Sequence, residues 1–149
     1  MGGDGSTIYQ GRCACGAVKA SIAAEPVVVR QCWCRQCQQV AGGGPTHNVL
    51  FPTDAVTLHG ETGTHDYQAA SGNILTHEFC AACGTPVLAR SSARPHFRVF
   101  RLGFLDADHG LAPSVAIWTQ DAPDWAVIDP RLEQVRQQPA PPPPPSTEA

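Results

Sequence analysis

Seven cysteines stand in three tight groups, Cys13-Ala14-Cys15, Cys32-Trp33-Cys34-Arg35-Gln36-Cys37 and Cys80-Ala81-Ala82-Cys83, with none elsewhere in the 149-residue chain. Thiolates one or two residues apart can share one metal ion, zinc or an iron–sulfur centre before others, with Zn–S bonds of about 2.3 Å. A disulfide framework is the competing chemistry and fits badly. Seven is odd, a bridge inside Cys-x-Cys closes a strained ring, and the opening ten residues, which carry Asp4 and no hydrophobic stretch, read as no export signal. The spacings match neither ferredoxin pattern, so zinc is the expected metal.

The residue after each group separates them into two kinds. Cys15 precedes Gly16 and Cys83 precedes Gly84, and each glycine leads into an apolar segment. A glycine there can turn left-handed and free backbone N–H groups to hydrogen-bond the sulfurs, so these two groups read as paired knuckles of one closed four-thiolate site. Such a site joins distant segments, and its binding energy acts as folding energy. Cys32, Cys34 and Cys37 have no knuckle glycine and supply three ligands. Three ligands and an exchangeable fourth make a catalytic zinc; the competing possibility is a histidine, His47, His59 or His77, that completes a second closed site. Arg35, inside this group, is the first candidate to hold a substrate carboxylate, and its competing role is to offset thiolate charge.

The elements that must position these groups are short. Segments rich in β-branched residues and cut by Gly or Pro predict strands over Val18–Ile22, Val27–Val29, Val49–Phe51, Ala55–Leu58, Phe97–Leu102 and Val115–Trp118. One brief helix is predicted from Arg35 to Val40, ended by Gly42-Gly43-Gly44-Pro45, which reads as a plain turn. Offset by three on a strand, Arg98 and Arg101 are expected on opposite sides, so at most one serves a pocket. Trp118 and Trp125 read as core, and His47 as a surface or satisfied histidine. The chain reads as mainly β in three parts: a flexible N-terminus over residues 1–7, one domain over 8–136, and a disordered Pro-rich tail over 137–149 with prolines at 141–145.

Net charge is −3 and Lys19 is the only lysine, so no basic stripe for nucleic acid is present. No apolar run approaches a membrane span, and a cytoplasmic protein is expected.

Gly11-Arg12-Cys13-Ala14-Cys15-Gly16-Ala17-Val18, the Cys32–Cys37 group, Phe79-Cys80-Ala81-Ala82-Cys83-Gly84-Thr85-Pro86 and the closing Val115-Ala116-Ile117-Trp118 with Pro123-Asp124-Trp125 resemble the blocks of the glutathione-dependent formaldehyde-activating enzyme family, which includes centromere protein V. Trp33 stands where that family often has histidine. The resemblance spans roughly residues 11–129. It implies a β-tent fold of short antiparallel strands organised around two Zn2+ per chain, a structural zinc on Cys13, Cys15, Cys80 and Cys83 and a catalytic zinc on Cys32, Cys34 and Cys37. It also implies a carbon–sulfur lyase that joins glutathione and formaldehyde to S-hydroxymethylglutathione. The alternatives are a thiol-adduct enzyme with another thiol or aldehyde, or a zinc-stabilised interaction module.

Overall fold

The computed structural model describes residues 6–69 and 71–145; the expectations for residues 1–5 and 146–149 lie outside the described residues. The fold is mainly β. Eleven strands, β1 (Tyr9–Arg12), β2 (Lys19–Ile22), β3 (Val28–Cys32), β4 (Thr46–Pro52), β5 (Val56–His59), β6 (Thr62–Gln68), β7 (Ile74–Cys80), β8 (Pro86–Ser91), β9 (Phe97–Arg101), β10 (Val115–Ile117) and β11 (Glu133–Gln134), accompany one α-helix, α1 (Arg35–Ala41), and four 3-10 turns among the described residues. None of the described helices is long and apolar enough to cross a membrane.

Two sheets form. The small one has the order β1-β2-β5 and the large one β11-β10-β3-β4-β9-β8-β7-β6. All pairings are antiparallel except those of β10, which runs parallel to β3 and β11. Strand side chains alternate between faces, so register decides which residues meet. One cross-strand row of the large sheet is Val29–Val49–Phe100–Leu88. With Phe51, Val87, Phe104 and Leu105 this row packs against Val18, Ala20 and Ile22 of the small sheet's β2 region, and this is the core between the sheets. Phe51 and Phe104 each bring a ring about 6 Å from that of Phe100, and full burial of each such side chain stabilises by about 2–3 kcal/mol.

The opposite face of the same strands carries other chemistry. Arg30, Asn48 and Arg101 form one cross-strand row, and Cys32 pairs with Thr46 beside it. Further along, Val99, Ala89, His77 and His65 line up across β9, β8, β7 and β6. One surface of the large sheet is therefore core, and the other is a shelf with thiols at one end and imidazoles at the other.

The predicted strands and helix are present, and β1, β6, β7, β8 and β11 add to them. Trp125 corrects an expectation: it is 68% exposed, not core. Arg98 and Arg101 point to opposite sides as expected, Arg98 to Thr53 Oγ1 and the Pro95 carbonyl, Arg101 to Asn48. The segment after the domain is hydrogen-bonded to it at its start: the Trp118 N–H donates to the Gln137 carbonyl, its indole N–H to Gln138 Oε1 at 3.0 Å, and the Gln120 N–H to the Arg136 carbonyl.

Candidate metal centres

The first centre is built from two turns with the same plan. In one, the Gly16 N–H donates to the Cys13 carbonyl and the Val18 N–H to Cys13 Sγ. In the other, the Gly84 N–H donates to the Cys80 carbonyl, and the Ala82 and Cys83 N–H groups to Cys80 Sγ. Both glycines have φ of 80°, a left-handed value that a side chain would strain. The Ala14 N–H donates to Thr85 Oγ1 and ties one turn to the other.

All four sulfurs lie within 4.8 Å of one another. Cys13 and Cys15 are 3.7 Å apart, and Cys15 and Cys80 3.8 Å. Four sulfurs placed tetrahedrally at about 2.3 Å from a zinc stand about 3.8 Å apart, so these distances fit the metal. One turn leaves β1 of the small sheet and the other leaves β7 of the large sheet. The centre therefore staples the two sheets at one end, with Cys13 and Cys80 buried and Cys15 and Cys83 facing outward.

The second centre is local. Cys32 ends β3, Cys34 is the N-cap of α1 and accepts from the Cys37 N–H at 3.3 Å, and Cys37 sits in the first turn. Their three sulfurs also lie within 4.8 Å of one another, and no histidine, aspartate or glutamate joins the set among the described residues. The histidines that could have closed it are elsewhere. His47 lies on the other face of β4 with Nε2 against Gln31 Nε2, His59 pairs with Lys19 in the small sheet, and His77 stacks edge-on against Tyr67. A cavity of about 400 Å³ beside His47 and His109 opens on that other face and is lined by no cysteine.

A buried glutamine fixes the loop. Gln38 Nε2 donates to the Trp33 carbonyl at 2.8 Å and to the Asp121 carbonyl at 2.9 Å, which locks α1 to the turn after β10. The Trp33 N–H donates to the Ile117 carbonyl, and its buried indole N–H donates to Gln31 Oε1. Trp118 packs against the hydrophobic group of Cys32, Val115 and Ile117 and is the one described non-glycine residue with a left-handed backbone, φ 56°. A bulky residue held there stores strain that the surrounding structure must offset.

The electrostatics favour a bound cation. Hydrogen bonding with Cys32 and Cys34 holds the Cys37 thiol down to about 3, helped by Thr46 and the positive charge of Arg101. Cys32 is pushed up by hydrogen bonding to Cys34 and Cys37 and by burial. Three sulfurs this close cannot all be thiolates without a cation between them, and a metal ion supplies it. Arg101 reaches this side because Asn48 Oδ1 accepts from its Nη1 at 2.6 Å, while Asn48 Nδ2 donates to Thr46 Oγ1. Across the shelf, Tyr67 is pushed above its ordinary value by burial and by the thiols, and His77 down to about 4 by burial and by Arg101 and His65. Asn48 and Tyr67 are residues of the site that sequence reasoning missed, and only sheet register brings them, with Arg101 and His77, to the side of the cysteines. Arg35 is exposed on the first turn of α1.

A mainly β domain with one closed four-thiol centre and one open three-thiol centre is thus defined by geometry. The family model described as glutathione-dependent formaldehyde-activating enzyme matches residues 8–121, and the chain belongs to that family. A crystal structure of a Rhodobacter sphaeroides protein is similar at 21% identity and a TM-score of 0.52, covering 70% of this chain and 97% of that one, a likeness of fold. No curated protein matches the chain.

Proposed function

We propose that the protein is a zinc-dependent carbon–sulfur lyase acting on thiol–aldehyde adducts in the cytoplasm, and that it joins glutathione and formaldehyde to give S-hydroxymethylglutathione. The observation that carries this reading is the contrast in ligand number: four cysteines complete one centre, while three make the other with no further protein ligand in reach among the described residues. Cys13, Cys15, Cys80 and Cys83 would hold a structural zinc, and Cys32, Cys34 and Cys37 a catalytic one. Zinc held by these three thiolates would supply a Lewis acid that lowers the pKa of a thiol substrate toward neutral pH.

In the reaction the thiol sulfur forms a bond to the aldehyde carbon, the carbonyl π pair moves to oxygen, and the proton lost by the thiol ends on that oxygen. Nothing leaves, and the reverse step cleaves the same C–S bond. Arg101, anchored by Asn48, places a fixed positive charge beside the cysteines where the oxygen becomes negative. Tyr67, which stays protonated across the physiological range, is a hydrogen-bond donor on the same shelf. Arg35 at the rim is the candidate partner for one of the two carboxylates of glutathione.

Because formaldehyde and glutathione combine unaided, only rates are informative. Exchange NMR between glutathione and S-hydroxymethylglutathione should show faster interconversion with the zinc-loaded protein, and Cys34→Ser should abolish the acceleration. No acceleration over a folded control with both centres filled would overturn the formaldehyde assignment.

A further inference from the structure

Among the described residues one buried side-chain polar atom lacks a hydrogen-bond partner, Nε of Arg30. Arg30 is only 8% exposed. A buried guanidinium left without an anion costs several kcal/mol, and native folds rarely keep an orphaned donor without a use for it. The ion pairs of the described residues are Arg90–Glu78 and Arg131–Asp129, so no carboxylate among them reaches Arg30.

The surroundings point to a ligand. Arg30 lies two residues before Cys32 on the same face of β3, about 7 Å away along the strand. Its neighbour in the row, Asn48, is already engaged with Arg101 and Thr46. Arg94, in the turn between β8 and β9, lies near enough to repel the Arg30 charge, whereas the Cys32 thiol attracts it. Two positive charges near enough to repel each other, one of them on a buried and underused guanidinium, suit a single carboxylate taken by the two-pronged Nε–Nη fork of Arg30.

We propose that Arg30, assisted by Arg94, binds a carboxylate of the thiol substrate; this rests on the reading of the three-cysteine centre as the place where a thiol arrives. In a cysteinyl peptide whose sulfur meets Cys32, Cys34 and Cys37, the next residue's Cα lies about 3.8 Å beyond the cysteine Cα and its carboxylate farther still, a reach on the order of the 7 Å that separates Cys32 from Arg30 along β3. The ligand class is then a short anionic peptide thiol, not a neutral thiol such as 2-mercaptoethanol.

Calorimetric binding to the zinc-loaded protein tests this without any turnover. Glutathione should bind about 10- to 100-fold more tightly than its monoethyl ester, in which only the carboxylate of the residue after the cysteine is blocked, the worth of one charge-assisted hydrogen-bonded pair. Arg30→Gln should weaken glutathione by that factor and leave the ester unchanged, with zinc content still at the wild-type value. Arg30→Lys should recover part of the preference. Should Arg30→Gln fail to fold, Arg94→Gln, in a surface turn, gives the same readout with a smaller loss. Equal affinity of wild type for acid and ester overturns the proposal, and so does loss of zinc from Arg30→Gln with the acid-to-ester ratio intact, which would make Arg30 a charge partner of the metal. Preference for the acid without acceleration of formaldehyde exchange would keep the carboxylate site and remove only the formaldehyde assignment.

Discussion

The two cysteine centres gather the same atom in opposite ways. One gathers ligands from turns separated by more than sixty residues and bridges two sheets, and the other takes all its ligands from the six residues Cys32–Cys37. Closing a long loop removes much freedom from the unfolded chain, whereas a six-residue loop removes little. The distant centre can therefore act on folding, and the local one is free to act on chemistry. Their surroundings agree: backbone N–H groups donate to the sulfurs of Cys13 and Cys80, while the local set faces the side chains of Thr46 and Arg101.

The sharpest way to break this comparison is to remove one sulfur from each. Zinc held by a structural site contributes about 10–16 kcal/mol of apparent binding energy in small peptides, against a total stability of about 5–15 kcal/mol for a domain. Cys80→Ser is expected to unfold the protein at 37 °C, and Cys34→Ser to leave it folded with one metal fewer, read by circular dichroism, melting and elemental analysis of zinc. Equal collapse of both variants would make the local centre structural as well.

A backbone change near the staple gives a smaller and more selective effect. Gly60 joins β5 of one sheet to β6 of the other at φ 102°, and a Cβ there would overlap the Ala17 carbonyl oxygen. Ala17 lies two residues after Cys15. Gly60→Ala should cost about 3 kcal/mol from strain and overlap. During a chelator titration its four-cysteine centre should release metal earlier than in wild type, with release from the three-cysteine centre unaltered. Unchanged release from both would show that the staple does not depend on this junction.

Why the cysteine centres were legible in the sequence and the shelf was not lies in how each is encoded. A knuckle is written in five adjacent residues or fewer, so Cys13 to Gly16 and Cys80 to Gly84 announce themselves, and α1 begins within its own cysteine group. The strands β6 (Thr-Gly-Thr-His-Asp-Tyr-Gln) and β7 (Ile-Leu-Thr-His-Glu-Phe-Cys) lack a clean apolar alternation, because they carry His, Asp or Glu on faces that are only half covered. β6 pairs with β7, β7 with β8 and β8 with β9, and this run joins the rest of the sheet through the pairing of β9 with β4, a long-range event. Arg101 becomes a site residue only because Asn48 sits opposite it on β4, and the exposure of Trp125 could not be told from its hydrophobicity alone.

The shelf should also respond to acid in its own way. His77 is held at about 4, below its ordinary value, by burial first and then by Arg101 and His65. Unfolded His77 takes up a proton near pH 6.5 and the folded form does not until about pH 4, so the unfolded state binds more protons in that window and stability falls as pH drops through it. The side chain is half-buried, and screening reduces the effect to about 1 kcal/mol. Melting at pH 7 and pH 5 should show a smaller acid loss for His77→Phe than for wild type, metal release being common to both. An identical loss would place the acid sensitivity in the thiolates alone.

The smallest expected effect concerns the strap beside the local centre. Truncation after Gln138 removes the proline run and should leave the melting temperature unchanged, because polyproline adds no packed core. Truncation after Arg136 removes two more residues and with them the bonds from the Trp118 N–H and indole N–H. Trp118 is the strained residue packed on the group of Cys32, Val115 and Ile117, so its backbone loses the contacts that help to hold its left-handed conformation. These exposed hydrogen bonds are worth about 1 kcal/mol together, a fall of about 4 °C. If the strap acts on the local centre, this shorter chain should also give up zinc from Cys32, Cys34 and Cys37 more readily, with the four-cysteine centre unaffected. A fall in melting temperature with unchanged zinc release would confine the strap to β10 and β11 and remove any link to the metal.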